Sequence, residues 1–530
     1  MAYVEPGSYV RLLSNVPIDK THRNTLFFSD ESSQSDYFNT GDYYGRLSYQ
    51  RVNSNVIRVE ATVRSAIDIN YLVFSNANHE KKRYYAFVDS VNYINESCIE
   101  ITYTIDVIQT YFFDYLISGF VEREHTLTDK IGDNILPENV NCGEYVYNNY
   151  EPVLLMNEMC VIIAITDTDK AVDGNLYDGI YGSAELWIYS STDVQGINAK
   201  IADYLQSPDS ILSIYMCPQA LIGDGKTIPP THTLTYGASA LRHNIEKKAI
   251  TTDDLLDGYK PNNNKLYTYP YCFYNIDNAS GASLPLRYEF FDKLTPALEI
   301  GGTITQPVVV TLRPCSYKGV AGKSSVGGYT SLNTESLQLS SYPQCSWNND
   351  SFQAWIAQNS VPLLVGTASN IIGGTINGAL TGGVVGGVIG GVSGVAGLIG
   401  QGYQASISAD ISRGSFNNGG ANVAMGKQQF YGGRMSVTYD YAKMIDGYFT
   451  MYGYAVNEVK RPSRHNRENF TYVKMRDASA TGSVPANALR EIEEIYNNGI
   501  RFWVDPKKVG NYLVSNKPIG GEPVSEVSES

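Results

Sequence analysis

Apolar and polar positions run in short blocks over the first 151 residues: SYVRLL, NTLFF, VIRVEATV, NYLVFSN, KRYYAFVDSVNYI and SCIEITYTIDVIQTYFF. Within them residues 57–63 and 98–105 alternate with a period of two, the pattern of a half-buried strand. A compact β domain is expected over 1–151. Residues 152–350 begin with LLMNEMCVIIAITDT, a continuous apolar run that reads as a buried strand. They continue through LWIYS, a short helix at 199–205, SILSIYMCP and a Tyr- and Asn-rich loop, YKPNNNKLYTYPYCFYN. After Gly/Asn-rich sequence at 412–433, strands are expected to return at RMSVTYDYAKMIDGYFTMYGYAVN and ENFTYVKM. A helix at 486–497 and the block GIRFWVDP follow, and the acidic tail EPVSEVSES reads as frayed.

One segment breaks this pattern. From Ser351 to Ala409 there is no Lys, Arg, Asp or Glu, and the centre reads VPLLVGTASNIIGGTINGALTGGVVGGVIGGVSGVAGLIG, residues 361–400. Its apolar positions include Val361, Leu363, Leu364, Ile371, Ile372, Val384, Val385, Val388, Ile389, Leu398 and Ile399. On a helix, Gly374, Gly378, Gly382, Gly386, Gly390 and Gly394 would line one bare stripe, the small-xxx-small spacing that lets backbones pack in lipid. As a helix, residues 371–400 would be about 45 Å long against a hydrocarbon core of roughly 30 Å. One tilted span fits and two straight spans do not. The Val, Leu and Ile residues contribute on the order of −5 to −9 kcal/mol, from which the glycines and two asparagines subtract. Insertion is therefore marginal for one copy and effective for several held together. A buried helix or a pliable loop is the plainer reading, but a linker would use Ser and polar spacers rather than Val, Ile and Leu.

Composition adds three constraints. A formal charge of −14 argues against a phosphate-neutralising nucleic-acid binder, and suits a surface that DNA passes without sticking. The 41 tyrosines, with abundant Asn, Ser, Thr and Gly, favour strands, polar turns and wet subunit interfaces. The seven dispersed cysteines, without a CxxC, read as reduced thiols of a protein made in a cytosol. Met1 leads into AYVEPGSYVRLL with no basic-then-apolar leader, so no secretion signal is expected.

Three blocks carry a family resemblance: IDVIQTYFFDYLISGFVEREH at 105–125, DGYFTMYGYAVNEVKRPSRHNRENFTYVK at 446–474 and GIRFWVDPKKVGNY at 499–512. With the Gly-rich apolar insertion before the second block, they resemble the distal tail-tube, or tail-knob, proteins of small short-tailed phages that infect Gram-positive bacteria. The resemblance implies a mainly β, multi-domain barrel or sandwich tube protein with few short helices. Along the chain the expected segments are a tube domain at 1–151, middle β-rich domains at 152–350, which match the family only in general character, the apolar loop at 351–411 and a C-terminal segment at 412–530 completing the tube domain. The resemblance further implies a homo-oligomer, expected as a hexamer, at the virion tail tip, assembled in the host cytoplasm and contacting other tail proteins. Genomic DNA would transit the channel without specific binding. The apolar loops would plug that channel and then penetrate the host cytoplasmic membrane.

Other signals carry less chemistry. The cations Lys460, Arg461, Arg464 and Arg467, with His465 among them, read as a phosphate or headgroup contact, or more plainly as inter-subunit or solvated charge. Gly322-Lys323-Ser324 lacks the first glycine of a phosphate-binding loop, since position 317 is Tyr317. Asp167, Asp169 and Asp173 fail the EF-hand spacing, and the six histidines show no zinc pattern. Ser393 sits in GVSGV rather than a nucleophile elbow, and Glu122 and Glu124 read as surface charge. No catalytic residue, cofactor or metal is expected. A receptor-binding or wall-degrading tail protein is the alternative, and a free pore-forming toxin a weaker third.

Overall fold

In a computed structural model, the described residues run from 7 to 520 with internal gaps. The long gaps are 222–248, 318–335, 347–414 and 418–429. The short ones are 41–42, 77–81, 154–158, 166–175, 178–179, 182–184, 191–192, 205–209, 219–220, 279–280, 292–293, 304–307, 315–316 and 340–343. The partial phosphate-loop match, the Asp167 group, Ser393 and the acidic tail lie outside the described residues. The fold is mainly β. The chain divides into two units, Met1–Glu144 with Thr252–Tyr271 and Thr438–Ser530, and Tyr145–Thr251 with Cys272–Val437.

In the first unit six strands close into an antiparallel barrel. The order is Ser8–Ser14, Tyr43–Asn53, Val56–Val59, Cys98–Ile105, Arg83–Asn95, Ile69–Asn76 and back to Ser8–Ser14. Alternation sends Val10, Leu12, Ile57, Val59, Leu72, Phe74, Ala86, Ile99 and Ile101 inward, where they form one buried cluster. The opposite set, Leu13, Tyr71, Val73, Tyr85 and Phe87, is buried too, in a second cluster with Leu26, Phe38, Phe470 and Trp503. Phe38 comes from a helix, Glu31–Thr40, and stacks on Tyr71 with ring centres 5.4 Å apart.

That outer cluster belongs to a five-stranded sheet that uses both ends of the chain. Its order is Asn24–Leu26, Ile500–Trp503, Phe470–Gly482, Tyr115–Glu124 and Tyr454–Lys460, parallel only at the first pair. The helix Ala486–Asn498 buries Ala488, Ile492, Ile495 and Tyr496, spaced three and four apart, against Ile117, Val121, Val473 and Phe502.

Two strand expectations are overturned locally. The run through residues 98–113 leaves strand geometry at Ile105, because Asp106 caps a short helix, Val107–Thr110, its Oδ1 accepting the Gln109 N–H at 3.0 Å. More consequentially, DGYFTMYG within the run expected to be strands belongs to a helix, Tyr439–Tyr452, that ends at Gly453, and only YAVN resumes as a strand, Tyr454–Lys460. Ala442, Ile445, Asp446 and Phe449 are its buried face, a three-and-four spacing that the Tyr/Gly alternation disguised. Gly453 ends it at φ +63°, with its N–H donating to Phe449 O at 2.8 Å. A Cβ there would strike the backbone of Glu124 and His125, so the position accepts only glycine.

In the second unit Met159–Ile165 is a central strand between Glu185–Ser190 and Ile211–Pro218. Cys160, Val161, Ile162, Ile163 and Ile165 are fully buried there, which is why the run is apolar without alternation. The expected helix at 199–205 is found earlier, at Val194–Asp203. Another sheet orders Glu151–Pro152, Tyr431–Val437, Cys272–Asp277 and Ser283–Leu286, and a third orders Leu298–Thr303, Val309–Pro314 and Leu337–Leu339.

Candidate functional site

The apolar residues 361–400 lie outside the described residues, but their attachment does not. Gln344–Ser346 and Ser415–Asn417 pair antiparallel, Gln344 opposite Asn417, Cys345 opposite Phe416 and Ser346 opposite Ser415. They extend the sheet built on Met159–Ile165 through Ile211–Pro218. Ser346 and Ser415, which flank the segment that contains the uncharged stretch, thus lie opposite each other in one sheet, about 5 Å apart at strand spacing. A segment held this way can be shortened without stretching its base. Among the described residues no helix is long and apolar enough to cross a membrane.

The four cations after the helix Tyr439–Tyr452 do not form one surface. Lys460 pairs with Glu124 at 2.6 Å. Arg464 donates to Phe112 O at 2.6 Å and to the Tyr496 hydroxyl at 3.1 Å, its guanidinium lying over the Tyr115 ring. Arg467 is 2% exposed, 3.9 Å from Asp129 and donating to Asn516 O at 3.4 Å. Arg461 alone of the four is exposed. Glu124 is corrected likewise: it is buried, whereas its neighbour Glu122 reaches Lys474 at 3.2 Å on a half-exposed face.

What the unit gathers instead is a buried polar knot that the sequence did not signal. Residues 262–265, within the Asn-rich stretch expected to be a loop, are tied down by three carboxylates, with Asn263 and Lys265 buried and Asn262 left exposed. Asp446 accepts from Asn262 N at 2.9 Å, Asn262 Nδ2 at 3.1 Å, Asn263 N at 3.0 Å, Asn263 Nδ2 at 2.8 Å and the Tyr259 hydroxyl at 2.8 Å. Asp129 accepts Asn264 N at 3.1 Å and the Tyr454 hydroxyl at 2.7 Å. Glu138 holds Lys265 Nζ at 2.8 Å, the Ala455 N–H at 2.8 Å and the Arg123 guanidinium. Burial and the neighbouring Arg123 pull the Lys265 ammonium down to about 7, with Asp129 opposing, while burial raises the Asp129 carboxyl against the pull of Arg467. The ion-pair geometry describes the charged form that these donors and acceptors fit.

His125 completes the knot. Its Nδ1 accepts the Tyr472 N–H at 2.9 Å, so the proton sits on Nε2, which donates to Thr450 O at 3.1 Å and Phe449 O at 3.3 Å. Burial, then the Arg467 charge, hold it well below the usual imidazole range. A depressed folded pKa contributes stability that is present above the unfolded value of about 6.5 and lost as pH falls. The denaturant midpoint of the full chain should therefore drop as pH is lowered from about 7 to 5, and His125→Asn should flatten that slope while costing stability at neutral pH.

Nothing in this knot is open to a substrate; it fastens segments far apart in sequence. Among the described residues no group of His, Cys, Asp and Glu could hold a metal ion. Comparison with known proteins supplies the biological setting. The family model for the C-terminal domain of tail knob protein gp9 of Bacillus phage phi29 matches residues 237–517, more than half of the chain. The chain belongs to this tail knob family. A second family model, the N-terminus of the caudoviral major tail protein, matches residues 6–116, which span the barrel. Full-length relatives agree: the tail knob proteins gp9 of phages phi29 and PZA are 24% and 25% identical, each over 98% of this chain and 100% of the relative. The solved structure of the bacteriophage C1 tail knob protein, gp12, has the same fold, with a TM-score of 0.64 and 14% identity over 97% of this chain and 100% of that one. These relatives are structural tail proteins, not enzymes, and this chain is a structural component of a short phage tail.

Proposed function

We propose that copies of this tail knob chain, six in a ring, form the distal tube for genome exit, and that their apolar insertions first plug the channel and then enter the host cytoplasmic membrane. The observation that carries the reading is the uncharged stretch from Ser351 to Ala409 in a chain of net charge −14, flanked by one antiparallel strand pair, Gln344–Ser346 with Ser415–Asn417. Six insertions bundled in a lumen would shield one another from water, and the same surface would favour lipid once released. The acidic composition suits a wall past which DNA slides.

The strand pair also makes the test clean. Deleting residues 366–400 leaves Gln344–Ser346 and Ser415–Asn417 in place to close the shortened loop. The intact assembly should release dye from liposomes and the deletion should not, with particle mass and circular dichroism unchanged. Equal leakage from both would end the membrane role, and a stable monomer by native mass measurement would end the ring.

A further inference from the structure

One end of the barrel in the first unit opens into a cavity of about 540 Å³ whose lining includes Tyr49, Gln50, Arg51, Phe74, Tyr84 and Tyr103. That volume falls in the range of roughly 300–1,000 Å³ typical of small-molecule sites, for which barrel mouths are a recurrent place. We propose that this mouth is a saccharide-binding site, taking a sugar unit whose apolar ring face lies on the aromatic floor and whose hydroxyls meet the polar lip.

The floor is rigid. Phe74 and Tyr84 stack at 5.2 Å with planes 14° apart, and Phe74 meets Tyr49 at 5.8 Å and Tyr103 at 5.3 Å. Two phenols are held in place: Tyr103 donates to Ser54 O at 3.2 Å, and the Tyr49 hydroxyl is hydrogen-bonded to Ser8. The lip is polar and carries a fixed cation, Arg51, whose Nε and Nη2 donate to Asn53 O and Ser54 O, each at 3.1 Å. Gln50 adds an amide with both donor and acceptor. Tyr84, the half-buried ring of this stack, beside planar amide and guanidinium groups matches a pyranose, which is apolar on its C–H face and polar at its rim.

Other occupants fit less well. An acyl chain would need the lumen, which Val10, Leu12, Ile57, Ile99 and Ile101 fill. An extended peptide would need a free strand edge, and this barrel is closed. A nucleotide would bring phosphate charge to a lining with one cation.

The test uses the full chain, titrated by calorimetry and saturation-transfer NMR with neutral di- and trisaccharides of hexoses and N-acetylhexosamines, and with carboxylated and phosphorylated counterparts. Saturable binding is expected, weakened at least about tenfold in Gln50→Ala/Arg51→Ala, the loss of one charge-assisted contact. Because these side chains lie on the lip, the thermal midpoint should hold; Tyr84→Ala, removing a half-buried floor ring, is the second variant and should weaken binding likewise. No saturation by any sugar, or affinity unchanged in both variants, would overturn the site. A nucleotide binding tighter than every sugar would overturn the ligand class. None of these outcomes depends on the liposome result.

Discussion

Replacing Glu138 by Gln should loosen the first unit by about 3–5 kcal/mol, the usual cost of removing one partner of a buried ion pair. The side chain is 3% exposed and faces Lys265, whose own side chain is 2% exposed, together with Arg123 at 11%. The variant keeps volume and one acceptor but removes the carboxylate that both cations contact, in a site water barely reaches. Hydrogen exchange at the amides of residues 262–265 should accelerate first, because Lys265 is what ties that segment to Glu138. Glu138→Gln/Lys265→Met should recover part of the loss, since an uncharged, packed pair removes the desolvation cost along with the attraction. Unchanged exchange in the single variant would show that the Glu138–Lys265 pair contributes nothing to holding the segment.

Asp446→Ala should cost on the order of 3 kcal/mol by a different route, leaving the two buried donors of Asn263 and the partly buried ones of Asn262 and Tyr259 without their acceptor. Two of its five partners are the backbone N–H groups of Asn262 and Asn263, which cannot rotate to find other acceptors. Asp446→Asn separates charge from geometry. It retains one oxygen, but its amide nitrogen turns a donor toward donors, so it should recover little. A chemical-denaturation midpoint near that of the parent protein for either variant would refute the assignment of Asp446 as the anchor.

Both predictions concern residues that the sequence did not single out, and the reason is physical. Asp446 lies between Ile445 and Gly447 in a run whose tyrosines and glycines imitate a strand. Its helical neighbours Ala442 and Phe449 become legible as one face only when the opposite wall, residues 259–264, is in place. Glu138 and Lys265 are far apart in the chain, and a single sequence carries no trace of such pairing. Conversely, the buried strands Met159–Ile165 and Ile211–Pro218, the alternating Cys98–Ile105 and the helix Ala486–Asn498 were all readable, because each signal lies within one element.

The cationic run at 460–467 shows the limit from another side. Adjacent charges suggested a patch, yet Lys460, Arg464 and Arg467 each find a separate partner or ring inside the unit, leaving Arg461 at the surface. Long side chains reach in different directions from an irregular backbone, so sequence proximity does not make a common surface.

By itself, the sequence determined the mainly β character, the position of most buried strands and the charge-free insertion, since alternation, apolar runs and missing charge are local properties of a chain in water. Tertiary structure alone decided that both chain ends share one sheet, that the barrel closes with an open aromatic mouth, and that paired strands flank the insertion. It also decided which carboxylates are buried. Those are matters of long-range register and desolvation, set only when distant segments exclude water together.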